Sequence, residues 1–135
     1  MRFLKIFVAF ITLANCCACG NDSLVGCWEV RSITGVEDVS SALNQPFITL
    51  RAGKTFSGNS GVNTIFGSYK ASCGKISFGK DAGMTKMMGD SLSMVVEDAY
   101  MDVINQACRY SVAEDKCLVL SNEDGSKVMI LSKKE

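Results

Sequence analysis

The chain has 135 residues, with 14 basic residues, 14 acidic residues and no histidine. This length predicts one domain, and the balanced charge offers no support for nucleic-acid binding, which usually needs a basic face. The lack of histidine excludes Ser-His-Asp and Cys-His catalysis and every histidine metal site. No pattern of carboxylates or lysines indicates a catalytic residue, and we expect neither a cofactor nor a metal.

Residues 1–18 have the pattern of an export signal. Arg2 and Lys5 make the start basic, and a short apolar run follows over residues 7–14. That run is too short, and wrongly flanked, for a membrane-spanning helix. Ala18 is a small residue of the kind found at a cleavage position, directly before Cys19.

A cysteine just after such a run predicts a lipobox, in which the cysteine is lipidated and becomes the first residue. Cys19 follows a small residue, whereas Cys16 follows Asn15, so we assign the lipid to Cys19. Cys16 and Cys17 remain alternatives. The resulting organisation is a signal peptide over 1–18, a lipid-anchored polar tether over 19–24 and a domain over 25–132.

Four cysteines lie beyond the anchor, namely Cys27, Cys73, Cys108 and Cys117. An even number of cysteines in an oxidising compartment predicts two disulfides, with three connectivities open. Cys108 and Cys117 flank what reads as a hairpin end, which makes them one attractive pair. The four show no tight CxxC spacing, so they do not indicate a zinc site.

The first strands are recognisable by alternation and turn signals. Residues 25–33 alternate, with Trp28, Val30 and Ser32 on the side expected to be buried. PFITL at 46–50 predicts a second strand, and RAGK at 51–54 predicts the turn into a third.

A glycine-rich stretch, FSGNSGVNTIFGSYKASCGKISFG, covers residues 56–79. A phosphate-binding loop would place such glycines before a helix, but here β-branched and aromatic residues follow them. The stretch therefore predicts turns between short strands. Its polar residues Asn59, Ser60, Asn63 and Thr64 have two readings: a recognition surface, or side chains that satisfy their own turns.

One amphipathic helix is predicted over 92–107, because Val96, Tyr100, Val103 and Ala107 recur at helical spacing. Asp90 and Ser91, or Ser93, are candidate N-caps. Asp98 and Asp102 are expected to be solvated, and so is Glu97, which could instead bond a loop backbone or cap a turn. In the preceding loop, two of Met84, Met87 and Met88 are expected to cover the core, and an adaptable binding surface is the alternative.

Three more strands are predicted at 108–112, 117–120 and 127–131, with short turns between them. Short connections favour antiparallel pairing. The predicted fold class is α+β: a small, mostly antiparallel, strongly curved sheet or partial barrel of seven or eight short strands, with one amphipathic helix.

An ordered set of short motifs resembles a known family. The motifs are GCWEV at 26–30, PFITL at 46–50, FSGNSGVNTIFGSY at 56–69, ISFG at 76–79, MTKMMGDSL at 84–92 and CLVLSNEDG at 117–125. Together they resemble the META domain, the HslJ-like family of bacterial envelope lipoproteins and heat-shock proteins. The resemblance implies a small α+β envelope domain linked to envelope stress and antibiotic tolerance, without catalytic residues to transfer.

Two positions depart from the family pattern. The family has cysteine where this chain has Val62, and again where it has Gly89. The paired loss implies that these two cysteines are partners in relatives. Thr85 and Lys86 do match the family motif, and we add both to the predicted interaction surface.

The predicted function is a non-enzymatic, lipid-anchored binding or structural module of the Gram-negative envelope. It would be an outer-membrane lipoprotein facing the periplasm or the cell surface, held by its lipid, with an envelope protein as partner and no nucleic acid. The alternative is a carrier of small apolar ligands, because Gly26-Cys27-Trp28 resembles the Gly-x-Trp of lipocalin barrels.

Overall fold

The computed structural model of the chain describes residues 22–80, 82–114 and 116–134. The signal peptide and Cys19 therefore lie outside the described residues. The strands are β1 Gly26–Ile33, β2 Phe47–Leu50, β3 Thr55–Asn59, β4 Thr64–Ser72, β5 Lys75–Phe78, β6 Gly83–Met84, β7 Arg109–Ala113, β8 Cys117–Ser121 and β9 Val128–Lys133, and helix α1 is Ser91–Gln106. No helix in the described ranges is long and apolar enough to cross a lipid bilayer.

The described strands form a closed antiparallel barrel. Going round it, β1 to β5 pair in chain order, β5 pairs with β7, and β7, β8 and β9 lead back to β1. The two-residue strand β6 pairs with the first part of β4, and β5 pairs with the later part of β4. The predicted α+β class is confirmed, with the sheet closed into an eight-stranded barrel.

Because successive strands run in opposite directions, the connections alternate between two ends of the barrel. The N-terminal end, where the chain enters β1, holds the turns at 51–54, 73–74 and 114–116 and the end of β9. The helix end holds the connections 34–46, 60–63, 79–108 and 122–127. These two names are used below for the two ends.

Aromatic and aliphatic side chains fill the barrel interior. Trp28, Tyr69, Tyr100 and Phe56 are the largest of the fully buried side chains. Aliphatic residues from β1, β2, β8 and β9 complete the same cluster. Burial of this much apolar surface is the main force that stabilises the fold.

A short 3₁₀ turn, Asp22–Leu24, closes the N-terminal end. Leu24 is fully buried, and its carbonyl accepts a hydrogen bond from Trp28 Nε1 at 2.8 Å. The predicted tether over 19–24 was therefore too long, because Leu24 belongs to the folded core. Its apolar side chain, placed four residues before Trp28, is the physical reason.

Strand β1 also differs from its predicted pattern. Trp28 and Val30 are buried as expected, but the register with β9 shifts between Val30 and Ser32. The shift is a bulge, which moves later residues to the other face of the sheet. Ser32 is consequently exposed and Ile33 is buried, the reverse of the simple alternation.

Helix α1 confirms the prediction almost residue for residue. Its buried face includes Val96, Tyr100 and Val103, and the Asp90 carboxylate caps it by accepting from Ser93 N at 2.8 Å. The helix contacts β1, β5, β8 and β9, so it lies across the helix end of the barrel. Burial raises the pKa of the Tyr100 hydroxyl, which donates to the Phe47 carbonyl at 2.9 Å.

The glycine-rich stretch forms β3, β4, β5 and their turns, as predicted. Gly61 takes a φ of 105° in the turn between β3 and β4, a conformation that disfavours other residues. Gly58 has a different role. A Cβ there would lie 2.8 Å from the Tyr100 hydroxyl oxygen, so its lack of a side chain lets the helix approach the sheet.

The predicted disulfides do not form among the described residues. Cys117 pairs with Ala113 beside the β7–β8 turn, whereas Cys108 precedes Arg109, which pairs with Ser121 at the far end of that hairpin. At about 3.3 Å per residue their Cα atoms are more than about 10 Å apart, too far for a disulfide.

Cys27 and Cys117 are separated by a whole strand. Ser132 of β9 pairs with Glu29 of β1 on one side and with Cys117 of β8 on the other. Cys73 sits in the β4–β5 turn with a φ of 50°. The even number of cysteines was a misleading signal, because it carried no information about their positions on the barrel.

Candidate functional site

Four polar side chains are buried at the helix end: Ser60, Asn63, Ser93 and Glu97. Buried polar groups are costly unless they are hydrogen-bonded. All four come from the β3–β4 turn or from the first two turns of α1. Their bonds join these two elements to the loop before the helix.

Glu97 is the centre of this arrangement. Its Oε1 accepts hydrogen bonds from Ser60 Oγ at 2.5 Å and from Asn63 Nδ2 at 2.8 Å. The residue is only 6% exposed, so the predicted solvated carboxylate was wrong. A signal was present in the sequence: Glu97 lies three residues before Tyr100, on the apolar face of the helix.

Asn63 connects Glu97 to the loop before the helix. Its Oδ1 accepts from Thr85 Oγ1 at 2.9 Å and from Met87 N at 2.6 Å, and its Nδ2 donates to Met87 O at 3.0 Å. Thr85 Oγ1 in turn accepts from Thr64 N at 3.0 Å. We call Ser60, Asn63, Thr85 and Glu97 the Glu97 network.

The network changes the reading of the predicted interaction surface. Ser60 and Asn63 are buried, so they are not available to a partner. The Asn59 carbonyl oxygen Oδ1 accepts from Gly61 N at 2.7 Å, which is turn chemistry. Thr64, Thr85 and Lys86 are exposed, and their contact with a partner stays a prediction.

A group of exposed apolar side chains lies on the helix, on the loop before it and on the 34–46 connection. It consists of Leu43, Met87, Met88, Leu92 and Val95, which are 65%, 59%, 84%, 61% and 51% exposed. We call these residues the methionine surface. Of the loop methionines only Met84 packs against the core, so the prediction that two of them cover it was wrong.

Hydrogen bonds fix the parts that carry the methionine surface. Leu43 N donates to Ser93 Oγ at 2.8 Å, which ties the 34–46 connection to the helix. Both backbone polar groups of Met87 bond to Asn63. The apolar side chains are therefore exposed on a defined backbone, a property of preorganised binding surfaces.

Three exposed acids lie on the same segments as this surface. Asp90 caps the helix two positions before Leu92, Asp98 follows Val95 by three positions, and Asp38 lies in the 34–46 connection. Hydrogen bonds from Ser40 lower the pKa of Asp38, and hydrogen bonds from Ser93 lower that of Asp90. Lys86 is the neighbouring base, so the surroundings of the methionine surface are mainly negative.

The sequence matches the META domain profile over residues 22–135. The chain belongs to the META domain family. No curated protein matches the sequence. The start of the match at residue 22 agrees with a domain that includes Leu24.

Two solved structures show the same fold as this META domain. A protein from Burkholderia xenovorans, determined by NMR, aligns with a TM-score of 0.65 at 21% identity, covering 84% of this chain and 86% of its own. A crystal structure of a DUF4847 family protein from Bacteroides vulgatus aligns with a TM-score of 0.57 at 17% identity, covering 82% and 94%.

The structure places the two positions that depart from the expected family pattern, Val62 and Gly89, side by side. An ideal Cβ on Gly89 would lie 2.9 Å from Val62 Cγ2. The positions at which the family pattern has cysteine therefore face each other, between the β3–β4 turn and the loop before the helix. In this chain the Glu97 network joins the same two segments.

Other features of the META domain lie away from this site. One depression, of about 360 Å³, is on the outer wall between Cys27, Phe47, Asn59 and Lys134. Another, of about 590 Å³, is beside the β4–β5 turn. In the described part of the chain, no three cysteine or carboxylate side chains converge as a metal site.

Proposed function

We propose that this META domain protein is a non-enzymatic, lipid-anchored binding module of the Gram-negative envelope. Its partner is an envelope protein that docks on the methionine surface. The observation that carries the proposal is the exposure of five apolar side chains on one fixed backbone. Such a surface, rimmed by polar residues, is typical of protein-interaction sites.

The charges around the surface define the partner's chemistry. Because the exposed acids Asp38, Asp90 and Asp98 lie on the segments that carry the surface, the fitting segment carries apolar side chains flanked by lysine or arginine. Methionine side chains adapt to differently shaped apolar partners. The docking segment need not be a perfect shape match.

The position of the surface supports a partner away from the anchoring membrane. The chain enters the barrel at the N-terminal end, whereas the methionine surface is at the helix end. With the lipid on Cys19, the surface points into the periplasm or the medium. This orientation fits an outer-membrane lipoprotein.

Site-specific photo-crosslinking in living cells tests the docking proposal. The probe replaces Met88, and the matched control replaces Ile130, which is also exposed and apolar but lies on the barrel wall. We expect one recurring protein adduct from position 88 only. Leu92→Asp should abolish this adduct. Leu118 is not replaced, because it is a fully buried core residue.

The outcome that contradicts the proposal is equally specific. If the folded, anchored protein gives no protein adduct from position 88, or gives the same adducts from position 130, the methionine surface is not a docking site. The identity of a specific adduct would also test the proposed basic and apolar character of the partner.

The family resemblance motivates a physiological role in envelope stress and antibiotic tolerance. If that role uses the docking surface, a deletion strain should lose survival under envelope-damaging antibiotics. The wild-type gene should restore it, and Leu92→Asp should not. Restoration by Leu92→Asp would separate the stress role from this surface.

The carrier alternative gains no support from the barrel interior. Trp28, Phe56, Tyr69 and Tyr100 occupy the space that a small apolar ligand would need. Ligand-binding barrels keep an interior cavity large enough for their cargo. The wall depressions are outside this interior.

A further inference from the structure

The N-terminal end of the barrel carries a concentration of bases. They come from separate turns and from the end of β9: Arg51, Lys54, Lys116, Lys133 and Lys134. Glu114 is the acid among the described side chains there. Asp22, Asp115 and Glu135 adjoin these residues in sequence, but their side chains lie outside the described part of the chain.

These bases are not neutralised by described acids. Within residues 22–80, 82–114 and 116–134 the ion pairs are Glu29–Arg31 and Asp102–Lys127. Two of the ammonium groups lie against aromatic rings instead. Lys54 Nζ is 5.6 Å from the Tyr69 ring centroid, and Lys133 Nζ is 5.6 Å from that of Trp28.

The helix end has the opposite charge. Its exposed acids are Glu37, Asp38, Asp90, Asp98, Asp102, Glu123 and Asp124, and its described bases are Lys80, Lys86 and Lys127. The domain is therefore an electric dipole along the barrel, although the whole chain has no net charge. An anionic surface would attract one end and repel the other.

The chain leads directly from the predicted lipid to the basic end. Only Gly20 and Asn21 separate Cys19 from the 3₁₀ turn at Asp22–Leu24. Three extended residue steps span at most about 10 Å. A lipid on Cys19 would hold the N-terminal end within reach of the headgroups.

We infer that the N-terminal end of the barrel rests on anionic lipid headgroups, with its turn lysines and arginine as the contacts. The inference depends on the proposed lipid anchor. It adds a second, electrostatic contact that orients the domain and turns the methionine surface away from the membrane. Lysine and arginine side chains close to an anionic leaflet are attracted to its headgroups.

The test uses the purified protein after removal of its signal peptide, in vesicles of phosphatidylcholine with or without phosphatidylglycerol. A photo-crosslinking residue replaces Ala113, which is exposed at the N-terminal end, or Asn105, which is exposed on the helix. Mass spectrometry identifies the lipid on Cys19 and the crosslinked headgroups. We expect position 113 to label phosphatidylglycerol and position 105 to label no lipid.

Charge variants sharpen the result. Lys116→Gln and Lys134→Gln remove exposed ammonium groups, while the backbone hydrogen bonds of both residues can remain. Each should lower the phosphatidylglycerol labelling at position 113 about fivefold, from the usual contribution of one base near an anionic membrane. Lys86→Gln, at the helix end, is the matched control and should leave the labelling unchanged.

The outcomes separate this inference from the anchor on which it rests. A protein without lipid on its N-terminal cysteine overturns both. A lipidated protein overturns this inference alone if positions 113 and 105 label lipid equally, or if neutral vesicles give the same labelling. Protein adducts at position 113 in cells, with no headgroup labelling, would instead assign the basic end to an acidic protein partner.

Discussion

At the helix end a hydrogen-bonded polar network lies beneath an exposed apolar surface, whereas at the N-terminal end an apolar contact lies beneath exposed bases. The helix end uses Glu97, Asn63 and Ser60 to join three chain segments. The N-terminal end uses Leu24 against Trp28, with one backbone acceptor. Both ends of the barrel are closed. The kind of side chain that an end exposes therefore does not follow from the kind of buried contact, polar or apolar, that closes it.

The difference shows where a binding surface can be fixed. Turns between adjacent strands, such as 51–54, are held by their own hairpins. The long connection between β5 and β7 is held by other contacts: β6 pairs with β4, and Asn63 bonds both backbone polar groups of Met87. We therefore expect changes at the two ends to have separable effects on stability and on binding.

The largest effect is expected from Trp28→Ala at the N-terminal end. It removes a fully buried indole and leaves the Leu24 carbonyl without its donor. The free energy of unfolding should fall by about 3–5 kcal/mol, measured by urea denaturation. Trp28→Phe, which keeps a buried ring, should lose clearly less; equal losses would contradict the packing argument.

A disulfide between positions 62 and 89 should raise stability at the helix end. Val62→Cys with Gly89→Cys places the two side chains in contact. The oxidised double variant should gain about 3 kcal/mol over its reduced form, because the bond restricts the unfolded chain. Thermal melting with and without reductant measures it, and each single variant serves as a control. No oxidised species would contradict the geometry.

Glu97→Ala should break the network and loosen the methionine surface. Ser60 and Asn63 would lose their shared acceptor inside the protein, at a cost of about 1–3 kcal/mol. Hydrogen exchange at the Met87 amide should quicken together with this loss. Asp98→Ala, exposed on the next helix position, should change neither. An unchanged Met87 amide in Glu97→Ala would show that the loop does not depend on the network.

The smallest effect is expected from the Asp90 cap, and it should depend on pH. The Ser93 hydrogen bonds lower the pKa of Asp90 in the folded protein below its ordinary value of 3.8. The stabilisation is therefore present above pH 3.8 and is lost as the pH falls through the lower folded pKa. Asp90→Ala should melt earlier than wild type at neutral pH, and the difference should shrink in acid. A constant difference would contradict the assignment.

The sequence by itself determined the elements with strong local patterns. Helical spacing located α1, with Asp90 among its candidate caps. The turn signals located the short strands and showed that the glycine-rich stretch is not a phosphate-binding loop. The ordered motifs located the family. Each of these depends on contacts between residues near in sequence, whose preferences can be read directly from the chain.

Only the tertiary structure decided the closure of the barrel, the bulge in β1 and the fate of the polar residues. Ser60 and Glu97 look like surface residues when each is considered alone. They can be buried because the Ser60 hydroxyl donates a hydrogen bond to the Glu97 carboxylate, 37 positions away in the sequence. The cysteines were misjudged for the same reason. Disulfide formation depends on the distance between cysteines that are far apart in sequence, and the closed sheet sets that distance. Neither the number of cysteines nor their neighbours in sequence predicts it.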